Sequence, residues 1–576
     1  MTLSTSTVTL APGSSRTYSL APGEAVTVAT EPNCYITVTE TPEVIATADL
    51  DGQTNVRTSI LQYKGTWAYG PYALGGTVAV AVSSTKSTSS VSVTLGSAAS
   101  AVVGAAGIHD AIAPGIDAGG TDRQKVLMDD GIGDIVIPFD SGAGWAANGT
   151  GTPTLTQNFT GFDANGARTG VVSRTGAPAM LKVVPGTAND EIQSTTFAAA
   201  TTNGKFGLWV YLANQPGYEA GGTLPSGGSA AKFSLLLSTD AASFSNALTV
   251  TFDHLYLREG WNFLVYNENA STSRGGPGHP TGITRVLNGT GANGDIVANS
   301  IKRAKIIFTN MNGGPELYFD SFWAGFTTRP RFVIGTDAQG SDLATITLPL
   351  MQRYGWEKKA YMAVPRQVLA AGDTTNYYYK AWSTSKPNID DAYKAGMICC
   401  PHSTNHQKPG ALTDAGRVRW EVLPVQAWLA SNGWTRGNEV WISPNFSTSR
   451  LSERVIKDMG FIGQRHGRGW CCVVSPFGVD NPQHIGSIDM GLTTNQTYTI
   501  IKAYIDIAVA YGGTLWLFHH SIQTVGDPGT GEGTTGDDLL IYKSNYEKVM
   551  AYIKSLEIAG AADVISPFKF FLGYEK

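Results

Sequence analysis

The residues best suited to do chemistry lie late in this 576-residue chain, where six of its nine histidines fall between positions 402 and 520. The densest group is His402-Ser403-Thr404-Asn405-His406, directly after the apolar run MICC and Pro401. Two histidines at i and i+4 on one helical turn point the same way, so both imidazoles can hold one divalent ion. That spacing alone is only moderately specific. Three further groups also end apolar runs: Asp337 after RFVIGT, Ser443-Pro444-Asn445 at the end of EVWIS, and His519-His520 at the end of TLWLFHH. One carboxylate and two imidazoles converging from different strand ends make a facial site for Zn²⁺ or a similar ion.

Such a site needs elements that bring distant residues to one rim. From 329 to 576, apolar runs of four to six residues alternate with helical periodicity, which predicts β/α units around a parallel sheet. The strands expected are RFVIGT, KAYMAV, MICC, EVWIS, GWCCVV (469–474), TLWLFHH and ADVIS, with Thr413 capping the helix before EVWIS. Seven such repeats fit a distorted (β/α)7 barrel, whose reactive groups gather at the C-terminal strand ends. Asp342 reads as a solvated residue at a helix start, and His466 and His484 as surface loop residues.

The rest of the chain positions this domain rather than doing chemistry. Residues 1–108 are rich in Thr, Ser, Val and Ala with turn dipeptides, which reads as an all-β attachment or spacer region. A Gly/Asp-rich connector covers 109–134. Residues 135–328 carry alternating runs such as KFGLWVYL and AKIIFTN, predicting a jelly-roll-like β-sandwich of the carbohydrate-binding kind, most of whose aromatics are core. The expected architecture is therefore multidomain: an all-β N-terminal region, a β-sandwich module and a distorted (β/α)7 barrel.

Composition narrows the partners. Only 15% of residues are charged and the formal charge is −5, against an average near 25% charged. The lack of a Lys/Arg cluster speaks against nucleic acid. No apolar run is long enough to insert in a membrane, and the first residues have no signal-peptide pattern. A neutral, hydroxyl-rich surface suits glycans. The five cysteines, Cys34, Cys399-Cys400 and Cys471-Cys472, form no disulfide framework or zinc motif and read as buried strand residues.

The order of an Asp at the first strand end, H-S-x-x-H, a Pro-containing loop and a late strand His resembles the polysaccharide deacetylases of carbohydrate esterase family 4, the NodB-homology domain. The resemblance covers about 330–570. It implies a metal-dependent esterase or amidase in which a metal-bound water attacks an acetyl carbonyl of a sugar. Carried over residue by residue, it implies His402 and His406 as metal ligands. That family's first motif has two adjacent aspartates, a base and a ligand; this chain has Asp337 followed by Ala338. The family's base-orienting Arg would fall at Ile442. Loss of both together favours Asp337 as the third ligand of a divalent ion (Zn, or Co, Mn or Ni), with proton transfer left to His520 or His519. The backbone N–H of Asn445 would match the oxyanion donor.

The combined architecture resembles a bacteriophage tail spike or tail fibre. That implies made-in-host-cytoplasm, virion-borne protein acting at the host surface, a partner in acetylated capsule or O-antigen, other phage tail proteins bound through the N-terminal region, and a homotrimer by analogy. The rivals are a catalytically degenerate glycan-binding receptor-recognition protein and a glycoside hydrolase depolymerase. The hydrolase would need two carboxylates at suitable strand ends.

Overall fold

The structure, a computed structural model, describes the strands of 6–97 and 134–324 with their shorter turns. It also describes residues 328–572 apart from 338–341, 367–385, 467–484, 493, 530–532 and 536–538. Cys34, Cys471, Cys472, His109, His254, His484, most of the 109–134 connector and the expected strand GWCCVV lie outside the described residues.

In the N-terminal region the hydroxyl/apolar alternation resolves into two four-stranded antiparallel sheets. One contains Glu24–Thr30 and Val91–Ser97; the other contains Ile36–Pro42 and Gly76–Val82. Val26, Val28, Ile36, Val38, Val78, Val80, Val91 and Val93 form a shared apolar core. Period-two patterning sends the valines inward, as expected for half-buried strands.

The second module is a sandwich of two antiparallel sheets of six strands each, one of these strands, Asp134–Pro138, attached to the side. Lys205–Ala213 lies between Gly260–Asn267 and Glu316–Ala324, in register Trp209↔Phe263 and Tyr211↔Tyr318. Trp209, Trp261, Phe263 and Tyr318 are buried, so these rings belong to the packed interior.

For the third domain we number strands β1 Arg331–Asp337, β2 Tyr361–Val364, β3 Ile398–Pro401, β4 Val440–Ile442, β5 Gly463–Arg465, β6 Ile488–Asp489 and β7 Thr514–His519. The helices are α1 Leu348–Tyr354, α2 Lys386–Ala395, α3 Ala415–Ser431, α4 Arg450–Asp458, α5 Tyr498–Tyr511 and α6 Lys543–Ile558. Six strands form a parallel sheet, five in the order β3-β2-β1-β7-β6 and the sixth, Asp563–Val564, paired with the start of β1, while β4 and β5 form a separate parallel pair. The strands follow chain order around an arc, but the ladder is interrupted twice. β3 meets the segment before β4 through Cys399 N–H to Arg436 O, and beyond β5 one isolated bridge, Arg465↔Ile485, continues the pairing. A closed (β/α)7 barrel is therefore not shown; the strand ends nevertheless face one rim.

Each helix lays one apolar stripe on the sheet. In α3 the stripe is Val418, Val422, Val425 and Leu429, and in α5 Ile501, Ile505 and Ala508, the i, i+4, i+7 recurrence of an amphipathic helix. The cap of α3 is Asp414, which accepts from Arg417 N–H at 2.9 Å, rather than Thr413, which lies one residue further from the first turn. Inside the arc, Val333, Tyr361, Cys400, Ile442, Trp516 and Phe518 pack with Phe570 and Phe571. Cys399 faces the outer, helix-covered layer, and both strand cysteines are buried and free. The sandwich docks on the end of α5, where His279 Nδ1 lies 2.8 Å from Tyr511 Oη and Asn267 Nδ2 donates to Ala510 O at 2.6 Å.

Candidate active site

The centre of the rim is a buried ion pair. β1 is buried along all seven residues, and at Gly335 a Cβ would sit 2.2 Å from the Tyr361 ring, so only glycine lets β2 close against it. This packing delivers Asp337, 2% exposed, to the C-terminal end of the strand. Its Oδ2 accepts from Arg465 Nη2, while Oδ1 has no hydrogen-bond partner among the described residues. Arg465 comes from β5, is fully buried, and lies 4.1 Å over the Phe518 ring. Burial disfavours its charge, but the Asp337 carboxylate outweighs that and raises its pKa.

Where the family resemblance would put an arginine at Ile442, the arginine beside Asp337 comes from another strand, β5. Among the described residues, no three His, Cys, Asp or Glu side chains converge as a metal-holding group, so the Asp337–His402–His406 triad is not assembled.

The imidazole pair is assembled. His402 and His406 face each other with Nε2 to Nε2 at 3.2 Å. His402 Nδ1 lies 2.9 Å from the Ile442 carbonyl oxygen, so that nitrogen carries the proton and Nε2 presents its lone pair, the usual orientation of a ligating histidine. Two ligand nitrogens about 2.0–2.1 Å from one tetrahedral ion would be roughly 3.3 Å apart. The spacing therefore fits a shared ion. Burial, and then the Arg465 guanidinium, push His402 down to about 3; burial, and then His402, push His406 down to about 3. Both rings remain neutral at ordinary pH, the form that binds metal.

The segment joining them is not the helical turn expected from the spacing. Ser403 and His406 have φ of +79° and +55°, so the chain coils left-handed at both and folds the two rings together. Asn445, expected as an oxyanion donor, sits exposed in the Pro444–Phe446 turn with φ +52°. Its Nδ2 lies 3.5 Å from His406 Nδ1.

The late histidines separate to opposite sides of β7. His520 Nδ1 is 3.3 Å from Asp489 Oδ2 on β6, and the ring is 15% exposed. Burial lowers its pKa, but Asp489, with a further contribution from Asp337, reverses the sign and raises it. His519 is fully buried, edge-on to Tyr546 at 4.6 Å and 3.3 Å from Thr347 Oγ1. Burial pushes it down to about 3. Its neighbours are thus Tyr546 and Thr347, whereas His520 faces Asp489. His466, expected on the surface, is also buried, 4% exposed.

Asp342 differs too: it is 6% exposed. Burial raises it to about 6 despite hydrogen bonds from Ile522 N–H and, at 3.5 Å, the Thr347 hydroxyl. A raised acid makes the folded state bind a proton that the unfolded state has released, so stability falls as pH rises from about 4 to about 6. Replacing Asp342 with Asn is expected to stabilise the protein at pH 7–8 by up to ~2–3 kcal/mol, and to have little effect near pH 4. Thermal melts of both proteins across that range check this; an Asn variant less stable at pH 8 than at pH 4, relative to the parent, would contradict it.

Arg465 and Asp489 are the two site residues that sequence reasoning missed. Their signal is faint: both end runs of at most three strand residues, GQR and ID.

No family model and no curated protein matches the chain. Among solved structures, it is similar to a family 4 carbohydrate esterase from Streptomyces lividans in complex with acetate. That likeness has TM-score 0.26 and 14% identity, and covers 42% of this chain and 93% of that one. A family 11 carbohydrate-binding module from Clostridium thermocellum, in complex with a β-1,3-1,4-mixed-linked tetrasaccharide, gives 0.21 and 8%, covering 34% and 96%. A truncated 3-deoxy-D-arabino-heptulosonate 7-phosphate synthase from Thermotoga maritima gives 0.24 and 11%, covering 41% and 90%. At such scores the overlays decide no chemistry, and the side chains must.

Proposed function

We propose that the C-terminal domain hydrolyses acetyl groups from a bacterial surface polysaccharide, as the catalytic part of a phage tail spike or fibre. The observation that supports this best is the arrangement of two buried charge pairs, Asp337–Arg465 and Asp489–His520, beside the facing imidazoles of His402 and His406. One carboxylate is held by a guanidinium with an oxygen left over; one imidazole is held by a carboxylate. Base and acid are thereby separated by their environments, as acyl-transfer chemistry requires.

In this reading Asp337 Oδ1 takes the proton of the attacking water as its oxygen bonds to the acetyl carbon. Arg465 holds the carboxylate in place. His520, charged with the help of Asp489, then gives its proton to the departing sugar nitrogen or oxygen as the acyl bond breaks. The products are acetate and a free amine or hydroxyl. His402 and His406 would hold a divalent ion, zinc or a similar one such as Co, Mn or Ni, which would supply polarisation of the acetyl carbonyl. The Asn445 backbone N–H, in the Pro444–Phe446 turn, would assist at the same oxygen. The two β modules would serve attachment and glycan contact.

The test is release of acetate from acetylated capsule with Zn²⁺, Co²⁺, Mn²⁺ or Ni²⁺ present. His402→Ala is expected to lower the rate by at least ~100-fold. No release with any ion, or undiminished release from the variant, would sink the proposal. One observation favours a second reading, a glycan-binding protein without catalysis: Ala338 follows Asp337, leaving the ion two protein ligands. That protein would bind capsule and leave its acetyl signals unchanged by NMR. A depolymerase is less well supported, because it needs two working carboxylates and, of Asp337 and Asp489, the latter is engaged with His520.

A further inference from the structure

The segment that carries the imidazole pair has a backbone it would not adopt unaided. Non-glycine residues with φ near +60° cost on the order of 1 kcal/mol or more each, and Ser403 and His406 both do this within four residues. A distant element must over-determine the loop.

That element is the middle of α3. Pro424 lies within the helix; it has no N–H to give to the preceding turn and its ring pushes that turn apart. Glu421 sits on the loosened turn and is 1% exposed. Its backbone carbonyl accepts from Thr404 N–H at 2.8 Å and from Thr404 Oγ1 at 3.1 Å. Its carboxylate accepts from Ser403 Oγ at 2.9 Å, Asn405 N–H at 2.8 Å and Asn405 Nδ2 at 3.0 Å. Every residue between the two histidines is therefore tied to this one glutamate. Hydrogen bonds to an ionised carboxylate are the stronger kind, and here they are sheltered from water.

We infer that Glu421 is the positioning residue of the imidazole pair: by clamping Ser403, Thr404 and Asn405 it sets the His402–His406 spacing and thereby the affinity for a divalent cation. The inference rests on the reading of that pair as a cation site. Glu421 touches neither imidazole in the contacts given above, so its effect passes through the loop. Outer partners of this kind change metal affinity by ~10–100-fold when removed.

The experiment is zinc titration of the full-length protein, freed of metal, against a competing chromophoric chelator, for wild type, Glu421→Gln and Ser403→Ala. Glu421→Gln keeps the shape but puts an amide N–H₂ where donors already point. It is expected to weaken zinc by ~10–100-fold, with a near-native circular dichroism spectrum. Ser403→Ala, which removes one donor and leaves the helix intact, is expected to weaken zinc by a smaller factor. A glutamate with a merely structural role would lower the melting temperature and leave the affinity of the folded fraction unchanged; that result overturns the inference. If wild type itself takes up no zinc, the cation reading fails instead. Amide exchange at Thr404 and Asn405 then decides the clamp, being accelerated in Glu421→Gln if it exists and unaltered if it does not.

Discussion

Replacing Arg465 with Met is expected to cost the protein about 3–5 kcal/mol and to lower acetate release at least ~100-fold. The size follows from burial. Both side chains of the Asp337–Arg465 pair lie within 3% of full burial, so removing the cation strands a carboxylate among Tyr361 and Phe518, whose rings the guanidinium now covers. A lone buried anion either leaves the interior or takes up a proton, and a protonated Asp337 can no longer accept one from water. The expected companion result is non-additivity. Asp337→Asn combined with Arg465→Met removes both charges, and it should be more stable than Arg465→Met alone while remaining as inactive. Denaturant melts of the two single variants and the double variant measure the coupling directly. Additive losses would mean that the pair does not act as a unit, and the assignment of Asp337 as an oriented base would fall with it.

The parts of the site legible in the sequence were those at the ends of long apolar runs. Asp337, His402 and His520 follow strands of at least four buried residues, and the pattern alone set them at one rim. Arg465 and Asp489 were invisible because β5 and β6 are three and two residues long, too short for any period to emerge. Arg465 also lies in the polar stretch GQRHGRG, and a charged residue is assigned to the interior only when its partner is known. That partner is 128 positions away. The same distance effect misled the reading of 402–406: helical spacing is a local rule, whereas the loop is shaped by Glu421, reached through the fold. Asp342 reads as a solvated helix start because the Ile522 N–H that it accepts from is again remote in sequence. The sandwich was more readable, since each strand carries its own alternation. Barrel closure was not, because it depends on pairings between β3 and β4 and beyond β5 that no run of residues announces.

Changing Asp489 to Asn is expected to move the alkaline limb of the pH–rate profile to lower pH and to lower kcat/KM at pH 8 by ~10²–10³-fold. Burial draws the His520 pKa down and Asp489 draws it up, with the carboxylate prevailing. An acid catalyst must be protonated, so the wild-type rate falls only as pH rises through that raised value. Without that carboxylate the downward pull of burial and of Arg465 is opposed by Asp337 alone, and the ring loses its proton earlier. The deficit should therefore narrow on going from pH 8 towards pH 6. Stability must follow the same sign. A histidine raised in the folded state contributes stability that is fully present below its unfolded value, near 6.5, and lost as pH rises through the folded value. The melting-temperature gap between wild type and Asp489→Asn should accordingly be widest in acid and shrink in alkali. A rate profile whose alkaline limb does not move, with a gap independent of pH, would show that Asp489 does not charge His520 and that the leaving-group proton comes from elsewhere. Asp337 lies close enough to raise His520 as well, so Asp337→Asn should shift the limb in the same direction by less. The order of the two shifts distinguishes a dedicated Asp489–His520 pair from a general effect of negative charge at the rim.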